Sequence, residues 1–237
     1  MSQEPGPRIR VMSWNLQHLQ GDPLAVHRVV KAAAPDVLCV QEGPRFPGSD
    51  RQFQRLAGAC GLYHLAGGRA AGSNAIFVSD RVRARDVGAF TFPLGHWRDN
   101  RRGAVLATVQ PIVGGDPLRI ASVHLPLDGG QRLAHVRSLS RQLRDFGLPA
   151  VLAGDLNEPP GGASWEALEP LVADPAPDAP VTYSTASPRR RIDAILTGRG
   201  IDVLEYGAWS PDPADARRAS DHLPVVAELR VLPSRAS

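Results

Sequence analysis

The stretch Ala150-Val151-Leu152-Ala153-Gly154-Asp155-Leu156-Asn157-Glu158-Pro159-Pro160 runs as an unbroken apolar segment into a polar stop. Apolar residues closed by a carboxylate and a carboxamide two positions apart, before a Pro-Pro-Gly-Gly breaker, read as a buried strand whose C-terminal end carries chemistry. A carboxylate at that place can polarise a water or hold a cation, and the amide can donate to a phosphate oxygen. A plain turn in which Asp155 or Asn157 caps the next helix would use the same residues. The ends of the other strands decide between the two readings.

Residues 8–15 alternate polar and apolar side chains as a half-buried strand does, and they finish on Trp14-Asn15. Residues 36–42 form a second apolar strand that finishes on Glu42 before the breaker Gly43-Pro44. Residues 118–123 form a third that runs into His124. Four strands therefore stop on Asn15, Glu42, His124 and Asp155, a repetition that capping does not explain. Asp193 stands in the apolar run Ile192-Asp193-Ala194-Ile195-Leu196. Burial there costs on the order of several kcal/mol unless the charge is paired. His222, in Ser220-Asp221-His222 ahead of a closing strand over 225–231, is the expected partner.

Between these strands lie helix signals. Asp22-Pro23 is an N-cap followed by proline at the first helical position, and apolar residues continue the helix to Pro35. A short helix is expected over 49–60 and another near 163–171. Residues 131–146 place apolar side chains at 133, 136, 139, 143 and 146, the period of an amphipathic helix, with His135 and Arg137 expected on its solvated side. Short strands over 63–65, 74–79, 85–90 and 103–109 suggest antiparallel hairpins within an α/β pattern. The loop over 93–102, polar and basic with His96 and Trp97, is an expected substrate lip.

The 237 residues carry 43% apolar and 22% charged side chains, ordinary for a globular chain, and no linker-like tract divides them. One domain over 8–232 is expected, with tails at 1–7 and 233–237. Net charge is +3, yet Lys31 is the only lysine among 27 basic residues. Arginine grips phosphate bidentately, which permits a nucleic-acid partner, although a codon bias toward arginine would give the same count. Cys39 and Cys60 lie in apolar surroundings outside any metal-binding spacing and are expected to be reduced thiols. With no signal-like start and no apolar run of membrane-spanning length, a cytoplasmic monomer without membrane insertion is the expectation.

Six short motifs, Ser13-Trp14-Asn15-Leu16, Val40-Gln41-Glu42, Ser122-Val123-His124, Gly154-Asp155-Leu156-Asn157, Arg191-Ile192-Asp193 and Ser220-Asp221-His222, occur in an order that resembles the endonuclease/exonuclease/phosphatase superfamily of DNase I-like phosphoesterases. The resemblance implies an α/β fold, a four-layer sandwich with two central mixed β-sheets packed face to face and helices outside. It implies Mg²⁺, or Mn²⁺ in its place, held chiefly by Glu42 with Asn15 and Asp221 nearby. Asp155 would orient or deprotonate the attacking water, Asn157 would donate to phosphate, and His222, fixed by Asp193, would bind a phosphate oxygen. His124 would contact the scissile phosphate, and Arg101 or Arg102, with Asn74, would bind substrate. The first expected substrate is the phosphodiester of DNA. The alternatives are a small or lipid-headgroup phosphate, and a catalytically silent binding module. Gln17 stands where abasic-site endonucleases carry an acid, and the loops are shorter than those of phosphoinositide enzymes, so the resemblance leaves the substrate open.

Overall fold

A computed structural model describes residues 6–45, 48–94, 100–209 and 212–233. Strand β1 (Arg8–Asn15) leads into helix α1 (Pro23–Ala33), where the Asp22 side chain accepts from the Leu24 N–H and Pro23 opens the helix. Next come β2 (Val37–Gln41), α2 (Ser49–Ala59), β3 (Tyr63–Gly68), β4 (Asn74–Val78), β5 (Val82–Thr91), β6 (Gly103–Pro111) and β7 (Leu118–His124). The chain continues through α3 (Gly129–Arg144), β8 (Ala150–Asp155), α4 (Ala163–Leu168), β9 (Asp193–Thr197), β10 (Ile201–Ala208), α5 (Pro213–Ala219) and β11 (Val225–Val231). The expected tails fall mostly outside the described residues, as do His96 and Trp97 of the expected lip.

The strands form two sheets, in the orders β10-β11-β1-β2-β4-β3 and β5-β6-β7-β8-β9. Each has one parallel pair at its centre, β1 with β2 and β7 with β8, joined by the crossover helices α1 and α3. Their neighbours run antiparallel. Strand alternation then sorts the side chains into three apolar layers. Ile9, Val11, Val37, Cys39, Val105, Ile120, Val151 and Ile195 meet between the sheets. Met12, Trp14, Leu38 and Val40 point the other way, onto α1 and α2. Leu106, Val123 and Leu152 pack on α3 and α4. Each such aliphatic side chain taken out of water contributes about 1.5–3 kcal/mol, so these layers dominate the stability. This is the expected four-layer sandwich. Cys39 and Cys60 are free and buried, and no helix among the described residues is long and apolar enough to cross a membrane.

Two local expectations are corrected. His135 is buried rather than solvated: its ring stacks on Phe92 at 4.2 Å and 14°. The buried face of α3 also includes Arg132, which donates to Glu158 and to the carbonyls of Pro126 and Leu127, so polar residues widen the face beyond the apolar stripe. Asp193 is the first residue of its strand, not the middle of one, and so sits at the sheet's edge. β10 and α5 were not anticipated. The first is a half-exposed edge strand with little alternation, whereas the second carries the same Asp-Pro start as α1, with Asp212 accepting from the Ala214 N–H.

Candidate active site

The interior between the sheets is apolar along most of its length and polar at one end. Parallel strands finish at that end and their antiparallel neighbours begin there, so inward-facing positions that are far apart in sequence converge. Register places His124 beside Asp155 and Asp155 opposite Asp193. Asn15, Gln41 and Ser122 are the polar continuations of the inward rows of β1, β2 and β7. Gln41 donates to Ser122 and accepts from Ser13, stitching the two sheets beneath the site.

Asp155 is almost completely enclosed, and it keeps several partners. One oxygen accepts from the Asn157 N–H at 2.9 Å. The other accepts from Asn15 Nδ2 at 3.0 Å and faces His124 Nε2 at 3.3 Å and His222 Nε2 at 3.9 Å. Burial, and next the charge of Asp193 across the strand pair, push its carboxyl up to about 7; the His222 charge and the hydrogen bonds pull the other way without cancelling them. A carboxylate so tuned can take a proton from water near neutrality.

His222 enters from the segment before β11. Its Nδ1 donates to Asp193 Oδ2 at 2.9 Å, and Thr182 donates to the same oxygen at 2.6 Å. Burial works against the imidazolium, but the charge and hydrogen bond of Asp193, then Asp155 and Asp221, outweigh it and lift His222 to about 9. The Trp14 indole donates to the His222 carbonyl at 2.8 Å, and Ser220 donates to the Asn15 carbonyl at 2.6 Å, so the end of β1 holds the His222 segment in place. The Tyr183 ring lies 4.7 Å from that of His222.

Glu42 has a positive φ of 47°, which turns it off the alternation of β2. Its oxygens lie 3.3 Å from His18 Nε2, 3.7 Å from His124 Nδ1 and 3.8 Å from Arg102 Nη1. These are polar contacts without a hydrogen bond to Glu42, and its lone pairs remain for a further partner. Arg102, itself buried, approaches His124 Nδ1 at 2.9 Å. Because a guanidinium only donates, Nδ1 accepts, and Nε2 lies between the Asp155 carboxylate at 3.3 Å and the Asn157 amide nitrogen at 3.0 Å. Burial, then the charges of Arg102 and His222, hold the His124 pKa well below its ordinary value, so this ring is neutral. The Asn157 amide spans from the Leu125 carbonyl at 2.8 Å to within 3.0 Å of His124.

The donor set suits a hard divalent cation. Glu42 is one-fifth exposed, Asn15 Oδ1 accepts the Gln17 N–H at 3.0 Å, and the Asp221 side chain is 35% exposed beside His222. Glu42 and Asp221 are oxygen ligands open to water, which such an ion retains in part, whereas Asn15 is buried. Asp155, Asp193 and His222 also lie close enough to surround an ion, with their ligand atoms within 4.8 Å of one another. They already hydrogen-bond or face one another.

The structure brings Asn15, Glu42, His124, Asp155, Asn157, Asp193, Asp221 and His222 to one end of the sandwich, and it separates the two arginines. Arg102 turns inward to His124 and Glu42, while Arg101 is exposed. Asn74 requires a correction: it is fully buried, and its amide nitrogen donates to the carbonyls of Ala71 at 2.7 Å and Gly103 at 2.8 Å. It staples two loops and is not presented to substrate. His124 is 2% exposed, with Arg102 at one ring nitrogen and Asn157 at the other. Sequence reasoning missed His18, Thr182, Tyr183 and the role of Trp14. His18, three residues past a functional strand end, was the one with a usable signal.

Comparison with known proteins agrees with this geometry. A family model described as the Endonuclease/Exonuclease/phosphatase family matches residues 12–222. Among solved structures, a mannosyl-6-phosphatase from Bacteroides thetaiotaomicron VPI-5482 superposes with a TM-score of 0.78 at 21% identity, covering 93% of this chain and 99% of that one. The human Nocturnin catalytic domain with bound sulfate gives 0.74 at 18% identity, with 95% of each chain covered. TDP2 from D. rerio, complexed with a single-strand DNA product, gives 0.74 at 17% identity, covering 94% and 99%. These identities speak to the fold alone. No curated protein matches the chain.

Proposed function

Because this chain belongs to the endonuclease/exonuclease/phosphatase family, a family of phosphoesterases that generally depend on metal, we propose that it is a Mg²⁺-dependent phosphodiesterase with DNA as its first substrate. The observation that carries the reading is the buried row Asp193, His222, Asp155, in which His222 stands between two carboxylates and His124 links Asp155 to Glu42. Glu42, Asn15 and Asp221 would hold the cation, which when bound would neutralise charge on the phosphate.

The protein's own groups divide the remaining work. Asp155 receives a proton from the attacking water, and its carboxyl, raised by burial and by Asp193, is basic enough to hold it. Asn15 and the Asn157 N–H fix the orientation of that carboxylate. His222, kept protonated by Asp193, donates from Nε2 to a non-bridging phosphate oxygen. Thr182 and Trp14 hold this pair still from either side. The exposed Arg101, next to Arg102 in the chain, favours a polyanion, which is why DNA stands ahead of a neutral-headgroup ester.

The test is hydrolysis of plasmid DNA, single-stranded DNA, RNA, bis-p-nitrophenyl phosphate and sugar phosphates by the purified protein with Mg²⁺. Cleavage of DNA that EDTA abolishes and Mg²⁺ restores is expected. Turnover unaffected by chelator would refute the oxygen-ligand site, and a clear preference for a small phosphomonoester would replace DNA as substrate.

A further inference from the structure

Next to the segment that follows Glu42 lies a cavity of about 650 Å³ whose walls include Arg45, Ser49, Asp50, Arg69, Ser73 and Arg101. Three arginines and one carboxylate line it. None of the three arginines has an ion-pair partner among the described residues. Like charges gathered in one concavity repel, and the arrangement is stabilised by an anion that the cavity admits.

The cavity adjoins the reaction centre through the backbone. Arg45 is three residues past Glu42, and the Gly43 N–H donates to the Ser73 carbonyl at 2.9 Å, tying the segment after Glu42 to the cavity wall. Arg45 is near enough for its charge to bear on Arg102 and His124. Arg101 precedes Arg102, so one arginine turns to the reaction centre and its neighbour to the cavity. Gly72 makes this possible: with φ of 60° it packs so tightly that a Cβ would meet the Arg101 carbonyl at 2.7 Å. Asn74 fastens the same turn to Gly103. Helix α2 begins at the cavity's edge, and its N-cap, Gly48, supplies no side-chain acceptor to the first-turn amides.

We propose that the cavity bounded by Arg45, Arg69 and Arg101 is a subsite for a second phosphate of the substrate, one carried next to the ester that is hydrolysed. The inference rests on the phosphodiesterase reading and adds a substrate class, esters with a further phosphate within a nucleotide's length. That phosphate can belong to a polynucleotide backbone or to a small bisphosphate, and the chemistry of recognition is the same.

The experiment compares the p-nitrophenyl ester of thymidine 5′-phosphate with the same compound bearing a 3′-phosphate, and with a short oligodeoxynucleotide. Arg69, exposed in a surface turn, is the clean probe because it touches none of the reacting groups. For wild type, KM should be about tenfold lower for the 3′-phosphorylated ester at similar kcat, on the order of one charge-assisted contact. Arg69→Ala should remove that advantage and Arg69→Glu reverse it, with the ester lacking the 3′-phosphate unchanged. Loss on the oligonucleotide alone would assign the subsite to a polymer phosphate, and loss on the mononucleotide alone to a small bisphosphate. Equal turnover of both esters by wild type, with neither the esters nor the oligonucleotide affected by Arg69→Glu, would overturn the subsite while hydrolysis itself still stands. If no ester is hydrolysed, the phosphodiesterase reading fails separately. Calorimetric binding of the two esters to wild type and Arg69→Glu then decides the subsite, with equal affinities overturning it.

Discussion

The two sheets contain the same unit, a parallel strand pair with a crossover helix, and each delivers a carboxylate at the end of its second strand. Glu42 follows β2 and Asp155 closes β8. Their surroundings are opposite. The Glu42 side chain is 21% exposed, with polar contacts at 3.3 Å or more, while that of Asp155 is 2% exposed, hydrogen-bonded, and faces a second carboxylate. One carboxylate is left free to bind a cation and the other is driven toward holding a proton. Equivalent places in a fold acquire different chemistry from burial and like charge, the effects that separate paired acids generally.

The most severe way to break the contrast is to remove the buried side. Asp155→Asn and His222→Ala should each lower kcat by roughly two decades or more, the scale of a lost acid-base or charge-stabilising group. Unchanged circular dichroism would show that the fold is intact, and rates near wild type in either variant would sink the assignment. On the open side, Glu42→Gln should act through the metal. Its Mg²⁺ concentration for half-maximal rate is expected to rise about tenfold or more, and an unaltered titration would move the cation elsewhere.

A pH profile sharpens the same comparison. Asp155 must be unprotonated to act, so with its pKa raised to about 7 the rate should climb as pH rises through that value. His222 must be protonated, so with its pKa near 9 the rate should decline above it. A profile flat from pH 6 to 10 would show that neither group titrates in the rate-determining step. The smallest effect is structural: Asn74→Ala removes two buried donors and leaves two carbonyls unpaired, a loss of about 1–3 kcal/mol in denaturant unfolding. If it instead raised KM with full stability, Asn74 would belong to the substrate after all.

Much of the site was legible because its residues punctuate strands. Asn15, Glu42, His124 and Asp155 each end an apolar run, and an acid ahead of Ala194-Ile195-Leu196 demanded a partner before any contact was known. Asn74 opens its strand instead of ending one, and its amide lies between two loops that the sequence does not show to be neighbours. His135 was misjudged for a related reason. Its place on α3 looked polar, but Phe92, outside the helix, supplied an aromatic face to cover it.

The sequence by itself determined the strand and helix periods, the Asp-Pro helix starts, the order of the polar strand ends and the need for a partner to Asp193. Those follow from local chemistry and from the cost of burying charge. Only the tertiary structure decided that Asn15 reaches Asp155 across 140 residues and Trp14 reaches His222 across 208. It alone separated Arg101 from Arg102, sealed Asp155 and left Glu42 open. Strand alternation dictates which way a side chain points, but how deeply it is enclosed depends on how two sheets close over it.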